Sequence, residues 1–449
     1  MTTTQAIQTD LFAQHTANAN YRSMYAIVDC NNFYCSCERL YKPHLDKKPV
    51  VVLSNNDGCI ISRSDEAKLL GVEMAGPYFM AKPLIKKHDV AVFSSNYNLY
   101  GDLSWRVMET MRMILGKHRV EVYSVDEAFL DLSIFPAYEL QHIARELRET
   151  VEQWTGIKVS VGVAPTKVLA KLANRLSKKN KEQTDCVMVL DTEEKIKHAL
   201  AITPVGDIWG VGRQYAQKLK EQWLIDNALQ LSKMSEEFGR LYLGGVVGIR
   251  LIRELNGIPS REMEDELVNK KMIATTRMFG SPVGDINDIK EAVATYTSRA
   301  AEKLRRQHSA ASVISVFVVS KEENHSVNYR GATHSNYITL PVATSFTNEL
   351  IKPAVALVDT LYKKGTLYKK AGVILSGIVP DQSIQGNLFL PVTKNNGRLL
   401  MDMIDNINFS QRDDVLKFAA SGTTRNWKMR QELRSPRYTT RWDELFEVK

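Results

Sequence analysis

Tyr123-Ser124-Val125-Asp126-Glu127-Ala128-Phe129 places two adjacent carboxylates in the middle of an apolar hairpin. Val120, Val122, Val125, Phe129, Leu130 and Leu132 supply strand-forming, core-seeking side chains on both sides. Ionised carboxylates beside a core are costly without a compensating charge, so the pair asks for a cation. A solvated turn, which Asp and Ser favour, is the competing explanation and the simpler one for the hairpin alone. A second strand, Tyr25-Ala26-Ile27-Val28-Asp29, also ends in a carboxylate. If the two strands are neighbours, Asp29, Asp126 and Glu127 form a hard-oxygen site suited to Mg²⁺.

The order of elements makes that neighbourhood an expectation. After an insertion over about residues 35–95, the pattern predicts an amphipathic helix near 102–115, with Leu103, Val107 and Met111 facing inward. Strands at 120–124 and 128–132 follow, then a helix near 137–154 carrying Leu140, Ile143, Leu147 and Val151. A last strand, Lys158 to Val163, stops short of Pro165. This is β-α-β-β-α-β, the ferredoxin-like pattern, in which the first strand lies beside the third. Asp29 is thereby brought to Asp126 and Glu127 by topology.

The remainder reads as an α+β multidomain chain. Residues 1–23 form a polar tail. The insertion carries a strand at Val50 to Leu53, a turn at Asn55-Asn56-Asp57-Gly58, and a helix from Ser64 to Leu70 stopped by Gly71. A helical region contains Ile208-Trp209-Gly210-Val211-Gly212-Arg213 followed by Ala216, Leu219 and Trp223. A tight turn explains the Gly-x-Gly; so does a helix-hairpin-helix whose Gly210 and Gly212 offer backbone N–H groups to a DNA phosphate. Gly257-Ile258-Pro259 marks a linker. Residues 268–380 form another α/β unit around Val313 to Val319, and the last seventy residues are polar, basic and poorly periodic.

The 449 residues suit two to four domains, and 44% apolar content suits sizeable cores. No apolar run reaches the roughly 18–20 residues of a membrane span, and the start lacks a secretory pattern. Five cysteines, an odd number, suit reduced cytosolic thiols. Cys30, Cys35, Cys37 and Cys59 crowd together, but they lack paired zinc spacing and His44 and His88 do not complete one, so small buried thiols are expected. The net charge of +8 suits a polyanionic partner. Its basic residues cluster at 178–181, at 299–306 and at Arg425, Lys428, Arg430, Arg434, Arg437 and Arg441, as an electrostatic track for nucleic acid would require.

A three-carboxylate Mg²⁺ site on such a sheet suits phosphoryl or nucleotidyl transfer. Two ions, roughly 4 Å apart, would activate a 3′-hydroxyl and stabilise leaving pyrophosphate, with the Cys30 backbone carbonyl assisting one. Ser62, Arg63, Lys68 and Lys178 are each ordinary surface residues singly; together they could surround one polyphosphate.

Several stretches resemble the Y-family, translesion DNA polymerases. They are Asp29-Cys30-Asn31-Asn32-Phe33-Tyr34, the Tyr123–Phe129 motif, Val161-Gly162-Val163-Ala164-Pro165-Thr166-Lys167-Val168-Leu169-Ala170-Lys171 and the Gly210-Val211-Gly212 hairpin. Val51 to Cys59, Phe93-Ser94-Ser95-Asn96-Tyr97 and Leu433 to Arg441 are similar to the DNA polymerase V branch of that family. The resemblance runs from about residue 24 to the C-terminus. It implies a right-hand polymerase with a ferredoxin-like palm (24–34 and 93–185), small fingers (35–92), a helical thumb with the helix-hairpin-helix (186–260), an α/β little finger (268–380) and a C-terminal clamp- and partner-binding tail (381–449) after the N-terminal tail (1–23).

The resemblance further implies error-prone, template-directed transfer of deoxynucleotides in SOS mutagenesis, with Asp29, Asp126 and Glu127 as ligands of two Mg²⁺ ions. Tyr34 would be the steric gate against a ribose 2′-hydroxyl. Ser62, Lys68 and Lys178 would hold the triphosphate, and Cys59 and Ile61 would lie over the nascent base pair. Asp65 stands where many members carry a phosphate-binding Tyr, which makes Arg63 the candidate for that contact. Gln385-Gly386-Asn387-Leu388-Phe389 resembles the pentapeptide that plugs into the bacterial sliding clamp. Gln8-Thr9-Asp10-Leu11-Phe12 is a second match, by chance or as a second docking peptide conferring avidity. The implied partners are primer-template DNA, deoxynucleoside triphosphates, the clamp, a UmuD-like dimer docked on the C-terminal tail, and RecA, at the nucleoid in the cytoplasm and away from membranes. A non-catalytic polymerase-like adaptor would lose the palm carboxylates, and a cyclase on the same palm would not need the hairpin, the little finger or the clamp peptides.

Overall fold

β1 (Tyr25–Cys30) has four of its six residues buried and runs through the middle of the first sheet. The structure is a computed structural model that describes residues 23–264, 269–321, 331–389, 396–411 and 414–445. The N-terminal Gln8–Phe12 peptide lies outside the described residues. The insertion after β1 holds β2 (Val50–Leu53), β3 (Ile60–Arg63) and β4 (Ala91–Ser94). These form a separate small sheet, ordered β3-β2-β4, over its own apolar cluster. Only β2 was expected from sequence, because Val50 to Leu53 is an unbroken apolar run, whereas the equally short β3 and β4 are interrupted by Ser62, Arg63 and Ser94.

The first sheet is completed by β5 (Val120–Val122), β6 (Glu127–Asp131), β7 (Val159–Ala164) and β8 (Val187–Val189), in the order β5-β6-β1-β7-β8. The expected adjacency is present, with β1 antiparallel to β6 in a register that sets Asp29 opposite Glu127. The turn between β5 and β6 spans residues 123–126, one residue longer than the expected 125–127. The Ser124 hydroxyl oxygen accepts from the N–H groups of Asp126 (3.2 Å) and Glu127 (3.1 Å), which ends β5 at Val122 and leaves Asp126 in the turn. The helix Tyr97–Leu115 starts five residues before the expected boundary because Asn96 caps it, its side-chain oxygen accepting from the Leu99 N–H. Residues 137–139 form a short 3₁₀ turn ahead of the helix Leu140–Thr155. The helix Lys167–Lys179 lies so close on β7 that a Cβ at Gly162 would sit 2.2 Å from the Asn174 nitrogen. Only glycine fits there, and the contact fixes which face of that helix looks toward β1.

Beyond a set of short helices between Glu193 and Leu255, the third sheet comprises β9 (Ile273–Val283), β10 (Ser309–Ser320), β11 (Thr333–Thr344) and β12 (Tyr368–Pro380). The helices Ile286–Arg306 and Thr347–Leu361 pack on it around a third core. Element order along the chain repeats that of the first sheet, but strand order is β11-β10-β12-β9, a different topology. Among the described residues no helix is long and apolar enough to cross a membrane. The C-terminal region departs from the polar tail read from sequence. It forms a helix, Asn396–Ser410, and then an extended segment in which Trp427, Ser435 and Tyr438 are buried. Its periodicity is weak because its anchors are single side chains on different neighbours.

Candidate active site

The end of β1 and the start of β6 build the floor of the site. The Cys30 N–H donates to the Asp126 carbonyl at 2.8 Å, tying the turn to β1. Asp29 Oδ1 accepts from Lys178 Nζ. Lys171 Nζ donates to both Glu127 oxygens, at 3.0 and 3.1 Å, and lies over the rings of Tyr123 (4.4 Å) and Trp209 (5.2 Å). Asp126 Oδ1 accepts from the Ser124 hydroxyl at 2.6 Å. Burial, reinforced by the charge and hydrogen bond of Glu127, pushes the Asp29 carboxyl up to about 7 against the opposing pull of Lys178. Among the described residues no three Asp, Glu, His or Cys side chains converge on one point, since two ammonium groups hold the oxygens. The donor set is hard oxygen with crowded negative charge and cations already drawn to it, which fits a divalent ion of the Mg²⁺ type.

Above this floor lies a cleft of about 580 Å³. Asp29 and Cys30 of β1, Asp126 of the turn, Tyr34 of the helix Phe33–Leu40 and Lys178 of the helix Lys167–Lys179 line it on one side, and Ile61, Ser62, Arg63 and Lys68 of the insertion on the other. The Tyr34 ring stacks on Tyr100 (centroids 4.5 Å apart, 18° between planes) and meets the edge of Tyr97 at 6.0 Å. Lys68 Nζ donates to Asn32 Oδ1 (2.5 Å) and Asp65 Oδ1 (2.8 Å), while Lys181 Nζ reaches Asp65 Oδ2 at 2.5 Å. Burial would raise the Asp65 carboxyl, but hydrogen bonds from Lys181, Lys68 and Asn32 outweigh it and hold the group well below the carboxylate range. Asp65 therefore organises two lysines at the rim. The Ser62 hydroxyl turns inward to Cys35 Sγ (3.3 Å), and one Arg63 nitrogen is committed to the Val72 carbonyl.

Other sequence-derived candidates lie elsewhere. Cys59 is not among the residues lining the cleft; it bridges to Pro77, and its N–H donates to Ser54 Oγ at 3.0 Å. Gly210 (φ +100°) and Gly212 precede the helix Arg213–Trp223, and the neighbouring Trp209 meets Tyr123 edge-on at 5.6 Å, so this hairpin abuts the carboxylate turn. Leu388 and Phe389 are 94% and 91% exposed. Cys30, Cys35 and Cys37 are buried, and burial raises their thiols, Cys35 to about 12.

Sequence reasoning gave Lys171 and Lys181 no role at the site. Lys171, Arg175 and Lys178 recur at i, i+4 and i+7 on one helix, a spacing that points all three the same way. The basic clusters needed the opposite correction. Arg425, Arg434, Arg437 and Arg441 pair with Asp414, Glu444 and Asp443, and Arg305 forks onto Asp405, carboxylates that lie outside the basic clusters in sequence. Lys303 differs. Burial first, and then the nearby charges of Lys270 and Arg277, lower its pKa, so three cations neighbour one another on the third sheet's unit.

The three sheets, the cleft between the first two and the carboxylate floor define a Y-family DNA polymerase fold. The fold matches a solved Y-family DNA polymerase chimera, Dbh-Dpo4(243-245)-Dbh, with a TM-score of 0.64 at 20% identity over 79% of this chain and 99% of that one. The chain belongs to the impB/mucB/samB family, which matches residues 28–175, with the family's C-terminal domain at 270–388. A domain family of unknown function, DUF4113, matches 398–448. The chain is 42% identical to the protein UmuC of Salmonella typhimurium over 95% of its own length and 100% of that protein. It is 30% identical to DNA polymerase IV of Brucella melitensis, covering 80% of this chain and 77% of that one.

Proposed function

We propose that this translesion DNA polymerase of SOS mutagenesis transfers deoxynucleotides to a primer 3′-hydroxyl at the Asp29–Asp126–Glu127 site, with two Mg²⁺ ions held by those carboxylates and the Cys30 carbonyl. The observation that carries the reading is the register of β1 on β6, which sets Asp29 against Glu127 beneath a cleft lined by Arg63, Lys68, Lys178 and Lys181. When bound, the ions would activate the hydroxyl and stabilise the departing pyrophosphate. Lys178 and Lys171 balance the carboxylate charge beforehand; Lys178 then serves the triphosphate together with Lys68 and Arg63. Tyr34, backed by Tyr100, excludes a ribose 2′-hydroxyl by occupying its volume. Ile61 faces the nascent base pair from the insertion, with the Ser62 hydroxyl turned inward to Cys35 and Cys59 just ahead of β3, outside the cleft lining.

Backbone N–H groups at Gly210 and Gly212 and the cations around Lys303 track the phosphates of primer-template DNA. The exposed Leu388 and Phe389, with Gln385, dock the sliding clamp, and Gln8, Leu11 and Phe12 form the second docking peptide. A UmuD-like dimer sits on the C-terminal region, where Leu399, Leu400 and Met403 of the helix Asn396–Ser410 are exposed, and RecA completes the assembly at the nucleoid in the cytoplasm. Primer extension past an abasic site, with clamp, UmuD-like dimer and activated RecA added in turn, tests the reading. Extension that grows as partners are added supports it; none with the full set would sink it.

A further inference from the structure

The segment after Trp427 runs from the third sheet to the insertion and on to the base of the helix Tyr97–Leu115. At one end Trp427 is buried against Tyr296 of the third sheet's unit, and its carbonyl accepts from the Gly280 N–H at 3.2 Å. A Cβ at Gly280 would sit 2.3 Å from the Lys428 carbonyl, so the segment lies in direct contact with β9. Asn56 of the insertion then joins the two units, accepting from the Arg430 N–H (2.8 Å) and donating to the Phe279 carbonyl (2.9 Å). Farther on, Leu433 is held to Ser94 at both its backbone groups, its N–H donating to Ser94 Oγ (2.9 Å) and its carbonyl accepting from the Ser94 N–H (3.0 Å).

The segment ends beneath the tyrosine that gates the cleft. Ser435 is 3% exposed; its hydroxyl accepts from Asn96 Nδ2 (3.0 Å) and donates to Glu38 Oε1 (2.9 Å). The same Glu38 oxygen accepts from the Tyr100 hydroxyl at 2.7 Å. Tyr100 carries the Tyr34 ring on its face, and Asn96 caps the helix that presents both Tyr97 and Tyr100. One serine thus fixes the acceptor that aims Tyr100 and the cap that starts its helix. Tyr34 has no other stacked ring beneath it among the described residues.

We propose that residues 427–438, within the region matched by the domain of unknown function, are an intramolecular strap that seats the sugar gate, with Ser435 as a positioning residue acting through Glu38 and Tyr100 on Tyr34. The inference rests on the assignment of Tyr34 as the gate. Sugar discrimination at the cleft is then set in part by a side chain some four hundred residues away in sequence, and the strap holds the third sheet's unit against the insertion while it does so.

The test compares kcat/KM for a ribonucleotide and the matching deoxynucleotide, measured on full-length chain with its partners. Tyr34→Ala should abolish most of the discrimination. Ser435→Ala and Glu38→Leu should each raise relative ribonucleotide use about 5-fold, the scale of coupling through packed side chains, while Ser435→Thr and Glu38→Gln, which keep the hydrogen bonds, should stay within about 2-fold of the parent. If Tyr34→Ala relaxes discrimination but Ser435→Ala does not, the strap is overturned and the gate stands. Equal losses with both nucleotides in Ser435→Ala overturn it as well, since a merely structural contact would act that way. No change in Tyr34→Ala removes the gate, and the strap's role with it. Should Glu38→Leu fail to fold, Ser435→Ala alone decides.

Discussion

At the scale of single residues, buried carboxylates divide the labour. Asp29 and Glu127 crowd each other and draw lysines, whereas Glu38 is fully buried, with one oxygen accepting two hydroxyl donors and the other lacking a partner among the described residues. Burial raises the Glu38 carboxyl above its ordinary range, outweighing the hydrogen bonds of Tyr100 and Ser435 and the charge of Lys42. A group that binds its proton more tightly when folded favours folding most in acid. Its contribution is complete below the unfolded carboxylate pKa and is lost as pH rises through the folded one. Glu38→Gln keeps both acceptor contacts and removes the titration. Its thermal stability should therefore fall less than that of the parent as pH is raised from the carboxylate range to neutrality; parallel pH profiles would contradict the burial argument.

At the scale of elements, the helix Lys167–Lys179 is the part whose placement matters most, because it delivers Lys171 and Lys178 to the carboxylates. Its approach to β7 depends on the missing side chain at Gly162. Gly162→Ala should cost about 1–3 kcal/mol, the usual range for overpacking, and slow nucleotide addition as the lysines shift. Thermal unfolding and single-turnover extension would show both effects. Strands β1, β5, β6 and β7 and the helices Tyr97–Leu115 and Leu140–Thr155 were legible in sequence since their apolar residues recur at the period of the element, as at Leu140, Ile143, Leu147 and Val151; the short β8 and the helix Lys167–Lys179 were not. Boundaries were less so, for they depend on single caps such as Asn96 and Ser124. The strap was not legible at all. Ser435, Asn96 and Glu38 meet across three remote segments, and no local pattern records a hydrogen bond between them. Lys171 could have been found from helical spacing; the Asp405 and Asp414 partners of the arginines could not.

At the scale of the whole molecule, charge pairing separates structural arginines from those available to a polyanion. DNA affinity should fall steeply with salt, and Arg277→Ala and Lys303→Ala should each reduce the slope by about 1. Arg305→Ala should leave the slope unchanged and lower stability instead, because Arg305 is committed to Asp405, Ser345 and Thr347. On the carboxylate floor, the Asp126 side chain lies outside the apolar cores and accepts from the Ser124 hydroxyl of its own turn. The most direct measurement is primer extension on an undamaged template in Mg²⁺, with partners present, comparing the parent with Asp126→Asn at matched DNA binding. The account predicts extension by the parent and a loss on the order of 10²–10³-fold in the variant, the scale of removing a preorganised electrostatic contact. Robust extension by Asp126→Asn would contradict it.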